Sequence, residues 1–157
     1  MKISAEVYGT LPDGREVYSY TLENKTMKVE ILNYGGIIKN LYVPDRNGRI
    51  ADVVLGHAGF EQYLENKGHL GCVVGRNANR IAGASCTIFG ETVQLEANNG
   101  AHNLHSGSNN LAHRLFTAEV HTFNNLPALL LSHTIEDGSD GFPGNLIVTI
   151  AYALTED

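Results

Sequence analysis

The chain predicts an all-β fold, an antiparallel β-sandwich or barrel. Apolar residues recur at the two-residue period of half-buried strands in several short stretches. Gly, Pro, Asn and Asp separate these stretches at regular intervals. Only Phe60–Asn66 has helical promise, and it has room for one turn or two.

Taken in order, Val17–Leu22 is a β-branched and aromatic run. Met27, Val29 and Ile31 alternate with Lys28 and Glu30. Gly35-Gly36 breaks that pattern, and Ile37–Val43 resumes it. Pro44-Asp45-Arg46-Asn47-Gly48 carries turn chemistry, and Asp52–Leu55 reads as a further strand. Ile81–Phe89 and Thr92–Leu95 flank a tight turn expected at Gly90-Glu91. Leu115–His121 and Ala128–His133 form another pair. Leu146, Val148, Ile150, Tyr152 and Leu154 share one strand face, the cleanest alternation in the chain. Thr155-Glu156-Asp157 looks like the opening of a hairpin turn whose second strand is missing. The strand over 146–154 therefore needs a partner on its open side: self-association or a second polypeptide.

Composition narrows the function. The 157 residues suit one domain with a sizeable core. A net charge of −6 argues against nucleic acid or an anionic membrane as partner. No apolar run approaches the roughly 20 residues that span a bilayer, and Met1–Glu6 lacks a signal-peptide stretch. Cys72 and Cys86 lack metal-type spacing and read as reduced, half-buried thiols of a cytoplasmic protein. With no tryptophan, a sugar-stacking platform would have to come from the 12 Tyr and Phe residues.

Two dense polar loops stand out. Gly75-Arg76-Asn77-Ala78-Asn79-Arg80-Ile81 precedes the hairpin, and Asn98-Asn99-Gly100-Ala101-His102-Asn103-Leu104-His105-Ser106-Gly107 follows it. Loops of this kind on rigid strands are favoured sites of binding and catalysis. Seven histidines raise the question of metal, but Asn98–Asn110 holds no Asp or Glu, so no metal is expected. His57, His69, His113, His121 and His133 read as surface or core-edge residues. His105 differs, because Leu104 anchors it and Gly107 frees the backbone to turn. Arg76 and Arg80 can each be a structural clamp or a site residue. Arg, Asn and His together suit a neutral polyhydroxylated ligand, which needs donors and acceptors in fixed directions. They suit phosphate less well, with no Gly-rich loop or helix N-terminus to hold it. Glu136–Gly144 resembles a calcium loop only loosely and reads as an acidic turn.

At these segments the chain resembles the aldose 1-epimerase (galactose mutarotase) family along its whole length. The match runs through Asn33-Tyr34-Gly35-Gly36, Val43–Gly48, Asp52–Gly56, Gly75–Ile81, Asn98–Gly107 and Asp140–Leu146. The resemblance implies an antiparallel supersandwich, incomplete at its C-terminus, with 1–157 as the N-terminal portion of a single domain. It implies interconversion of α and β anomers of aldoses such as galactose and glucose, with no cofactor. Asn79 and Arg80 match the family's substrate-binding pair. His105 matches the histidine that hydrogen-bonds the sugar near its ring oxygen. Arg76 matches a scaffold arginine. Ser106 stands where the family usually has glycine, so the loop beside His105 is expected to turn slightly differently.

Family chains are about twice as long. The general-acid histidine, the general-base glutamate and an aspartate that grips the sugar belong to the half with no counterpart in 1–157. The chain is thus expected to hold part of a sugar cleft without the proton-transfer pair. A non-catalytic carbohydrate-binding protein and a subunit completed by a second polypeptide are the alternatives.

Overall fold

A computed structural model describes residues 2–155. Its elements are strands β1 (Lys2–Thr10), β2 (Glu16–Glu23), β3 (Lys28–Leu32), β4 (Ile38–Pro44) and β5 (Ile50–Asp52), then helix α1 (Phe60–Glu65). They continue with β6 (Arg80–Ile81), β7 (Ser85–Ile88), β8 (Glu91–Gln94), β9 (Asn103–Leu104), β10 (Thr117–Phe123), β11 (Leu126–Ile135) and β12 (Leu146–Tyr152). The first five strands form one antiparallel meander, and the last three form a second sheet. Two small pairs, β6–β9 and β7–β8, stand apart from them. No helix among the described residues is long and apolar enough to cross a membrane.

Packing between the two larger sheets makes this an antiparallel β-sandwich. Leu22, Val29 and Ile31 from the first sheet meet Leu129, Leu131 and Ile135 from the second, with Phe116 and Leu111 between them. Leu22, Ile31, Leu129 and Leu131 are fully enclosed, and each such side chain stabilises the fold by about 1.5–3 kcal/mol. The first sheet is also covered on its other face. There Val17 and Leu32 pack with Tyr34, Ile37 and the α1 residues Phe60 and Tyr63. β2 thus sends Leu22 to one core and Val17 to the other, as its pleat requires. Buried Asn33 ties the layers together. It accepts the Tyr18 N–H at 2.8 Å through its side chain, and its carbonyl accepts the Phe116 N–H at 2.7 Å.

The structure agrees with the sequence over β2, β3, β4, α1, β10, β11 and β12 to within a few residues. It corrects four local expectations. β1 has no counterpart in the sequence reading, because it is an edge strand with mostly exposed residues and no clear alternation. The strand expected over Asp52–Leu55 instead ends at Asp52. The Asp52 carboxylate accepts the N–H groups of Leu41 (3.0 Å) and Val54 (3.1 Å), so a side chain takes over from the ladder. The run Ile81–Phe89 is broken at Ala82–Ala84, where Gly83 and Ala84 adopt positive φ. The following hairpin turns at Phe89-Gly90, not Gly90-Glu91, since Ile88 pairs with Glu91. Both turn residues have positive φ (51° and 88°), which suits the twist of a two-residue hairpin.

β12 alternates as expected: Leu146, Val148, Ile150 and Tyr152 face inward, and Ile147 is 73% exposed. It is the edge of its sheet among the described residues. Glu156 and Asp157, where the hairpin turn was expected, lie outside the described residues.

Candidate sugar-binding site

The short pair β6–β9 brings the two polar loops together. Arg80 opposes Leu104 and Ile81 opposes Asn103. The next rung would be Asn79 opposite His105. The His105 N–H does donate to the Asn79 carbonyl, at 3.0 Å. The return bond is altered: the Asn79 N–H donates to Nδ1 of the His105 ring, also at 3.0 Å. Both residues lie in the left-handed region, with φ 63° and 55°, and this swings the imidazole to where a carbonyl would sit.

The contact fixes the tautomer. A backbone N–H can only donate, so Nδ1 of neutral His105 is the acceptor and Nε2 carries the proton. Burial lowers the His105 pKa, helped by neighbouring His69 and Arg80. The ring therefore stays neutral at physiological pH and offers Nε2–H as a donor.

Arg80 is held by amides. Its Nε donates to Asn99 Oδ1 at 2.9 Å, and Nη1 lies 3.4 Å from Asn79 Oδ1. It forms no salt bridge among the described residues. A cation without a carboxylate partner keeps its remaining donors for a ligand. Asn79, Arg80 and His105, expected together from the sequence, lie side by side on one exposed or half-exposed surface.

The other arginine points elsewhere. Arg76 donates to the carbonyls of Pro143 (3.1 Å), Glu136 (3.2 Å) and Ile135 (3.4 Å). It clamps the 136–143 loop, the scaffold role expected for it. That loop is an acidic turn: Asp137 caps the Gly144 N–H, and Asp140 pairs with Arg114 at 3.3 Å.

Ser106 ties the two loops. Its hydroxyl accepts the Asn77 N–H at 2.7 Å and donates to the Asn77 carbonyl at 3.2 Å. It is fully buried and adopts φ 72°, a conformation that glycine takes more readily. Gly107 then turns at φ 107°, with Glu96 Oε2 only 2.7 Å from where a Cβ would sit. That carboxylate accepts both the N–H (2.7 Å) and the hydroxyl (2.9 Å) of Ser108. Asn98 braces Leu104 through both backbone groups, at 2.7 and 2.9 Å.

Some of the surroundings were not legible in the sequence. His69, read as a surface or core-edge residue, packs its ring against His105 with centroids 4.7 Å apart. His113 lies 6.4 Å beyond it and touches Tyr34. Residues 69, 105 and 113 follow no common period, so no pattern links them. Asn99, which orients Arg80, carried no signal beyond the polarity of its loop. His102 does not join the constellation: its Nδ1 accepts the Gly83 N–H at 3.1 Å. His133 is a core-edge residue against Phe116, and His121 is an exposed partner of Glu119. Among the described residues, no three His, Cys, Asp or Glu side chains converge as metal ligands. Cys72 and Cys86 are free and half-buried, and burial pushes the Cys72 thiol up to about 11.

Fold and site thus define an antiparallel β-sandwich with a neutral imidazole, an unpaired guanidinium and amides grouped on paired loops. The Aldose 1-epimerase family model matches residues 18–157, and the chain belongs to that family. It is similar to the galactose mutarotase of Sus scrofa, with 37% identity over 155 residues, 98% of this chain and 44% of the relative. It is 35% identical to the aldose 1-epimerase of Escherichia coli K12 over 147 residues, 93% of this chain and 42% of that protein. In three dimensions it resembles the galactose 1-epimerase of Lactobacillus acidophilus. That likeness has a TM-score of 0.82 and 25% identity, and it covers 96% of this chain and 44% of the other. A GalM/aldose epimerase homologue from C. elegans gives a TM-score of 0.79 at 28% identity, covering 87% of this chain and 41% of the other. The chain therefore spans less than half the length of these relatives.

Proposed function

We propose that this chain supplies the sugar-holding wall of an aldose 1-epimerase cleft, as the N-terminal portion of one such domain. Its ligand is a free aldose such as galactose or glucose. The observation that supports this most is the Asn79–His105 pair, which leaves a neutral imidazole with its proton on the outward nitrogen. A fixed N–H donor near the ring oxygen stabilises the charge that develops there as the ring opens. Arg80 and the Asn79 amide hold hydroxyls in fixed directions.

The reaction of such a cleft needs a base to take the anomeric hydroxyl proton and an acid to protonate the ring oxygen. The ring then opens, the aldehyde rotates, and the ring recloses on its other face. We assign neither proton-transfer group to this chain. General acid or base catalysis contributes typically about 10²–10⁴ in rate each, so the 157 residues acting alone are expected to be close to background. Free thiols fit a reducing compartment such as the cytoplasm.

The test has two arms. Calorimetry with millimolar galactose should detect binding that His105→Ala and Arg80→Ala remove; no binding to the unaltered chain would overturn the reading. Optical rotation of fresh α-D-galactose or α-D-glucose should relax at nearly the buffer rate. Strong acceleration that His105→Ala abolishes would refute the assignment of proton transfer elsewhere.

A second reading has one specific support. The edge of β12, unpaired among the described residues, suits strand addition by a second polypeptide. A monodisperse monomer at high concentration would count against it.

A further inference from the structure

His69 lies in the segment that leads away from α1, shortly before the first polar loop and far in sequence from the second, which carries His105. Its backbone is pinned from two sides. The His69 N–H donates to the Asn66 carbonyl at 2.8 Å, and the Cys72 thiol donates to the His69 carbonyl at 3.2 Å. Asn66 is itself buried, and its Oδ1 accepts the Leu70 N–H at 2.9 Å. His69 is held at φ 52°, a left-handed conformation of some cost for a residue with a Cβ. The outcome of that constraint is a ring 4.7 Å from the His105 ring, inclined at 54°. His105 is then fixed along one ring edge by the Asn79 N–H and packed by one neighbouring ring, with Nε2–H left for a ligand.

We propose that His69 is a positioning residue for His105, setting the plane in which the His105 Nε2–H meets a sugar. It acts through the His105 ring and needs no contact with the sugar itself. Its chemistry adds to its shape. A positive charge on the His69 ring opposes a proton on His105. The groups that oppose a proton on His105 are His69, from the segment after α1, and Arg80, from β6. Asn79 faces the ring with a backbone N–H, which a protonated Nδ1 could no longer accept. His113 stands behind His69, with Arg114 beside it as a further positive charge.

Nitrogen-15 NMR of the histidine rings in the intact chain tests this without any sugar, in wild type, His69→Phe and His69→Ala. His69→Phe keeps an aromatic ring and removes the ionisable group. It should retain the Nε2–H tautomer of His105 and raise its titration midpoint, since one of the positive neighbours that oppose its proton is gone. His69→Ala removes the ring as well, and the tautomer should become mixed. If His105 keeps the wild-type tautomer and midpoint in both variants, the proposal is overturned. Should His69→Ala fail to fold, the midpoint in His69→Phe decides, and no change refutes the proposal.

A sugar readout rests on the function proposed above. Galactose affinity should fall roughly tenfold in His69→Ala, about 1.4 kcal/mol, and recover in His69→Phe. If wild type binds no galactose, the functional reading fails, while the tautomer and midpoint still decide the role of His69.

Discussion

Asn79 and His105 form the last rung of the β6–β9 pair, with the His105 ring standing in for its own carbonyl. One bond of the rung is an ordinary backbone bond and the other ends on Nδ1, each at 3.0 Å. One of the two bonds that close the strand pair, the one to Nδ1, therefore selects the tautomer of the candidate site histidine. Secondary structure and site chemistry cannot be separated at this point.

Ser106 should be sensitive to loss of its hydroxyl. Ser106→Ala removes the buried hydroxyl that accepts the Asn77 N–H at 2.7 Å. Loss of such a hydrogen bond costs about 0.5–1.5 kcal/mol. Urea unfolding should show that loss, and galactose affinity should weaken with it as the two loops loosen.

Gly107 should tolerate no side chain. Gly107→Ala places a methyl group 2.7 Å from Glu96 Oε2 on a backbone at φ 107°. Strain of this kind costs of order 1–3 kcal/mol. A control, Gly14→Ala, has open space around the new methyl, though its φ of 89° is also unfavourable. Comparing the unfolding midpoints of the two variants separates backbone strain from the clash with Glu96.

Arg76 should not be replaceable by lysine. A planar guanidinium reaches three carbonyls of the 135–143 segment, whereas an ammonium lacks that fork. Arg76→Lys should speed proteolysis within 136–144 and lower stability by about 1–3 kcal/mol. The His105 tautomer should be unchanged, because the clamp lies outside the Asn79–His105 rung.

Stability should fall on mild acidification. Burial lowers the pKa of His113, with His69 and Arg114 adding to it, and burial likewise lowers His133, against the opposing hydrogen bond to the Leu115 carbonyl. For a depressed histidine the unfolded chain binds the proton more readily. Stability therefore is full above the ordinary histidine value, about 6.5, and drains as pH falls through it towards the lowered values. Urea midpoints at pH 7.5 and about 5.5 should differ, and His113→Phe should reduce the difference.

Much of the sandwich was legible because its strands carry their own pattern. β12 alternates cleanly, and β3 places Val29 and Ile31 against charged neighbours. β1 escaped because an exposed edge strand needs no apolar period. The Phe89-Gly90 turn was misplaced by one residue, because pairing of Ile88 with Glu91 is a property of both strands together. At the site, Asn79, Arg80 and His105 were visible as a motif. The His69 contact and the Ser106 bridge were not, since each depends on where a distant segment returns in space.

The first sheet is buried on both faces along β2 and β3. Amide protons there, at Ile31 and Leu32 above all, should exchange with solvent only when the whole molecule opens. β5 and β12 lie at sheet edges and should exchange through local fraying. The sheet's most protected rungs thus lie inside the sandwich, and the short β6–β9 pair that carries the proposed sugar wall stands outside that permanent interior. Its lifetime can be set by loop contacts and by ligand, on a faster clock than the fold's own.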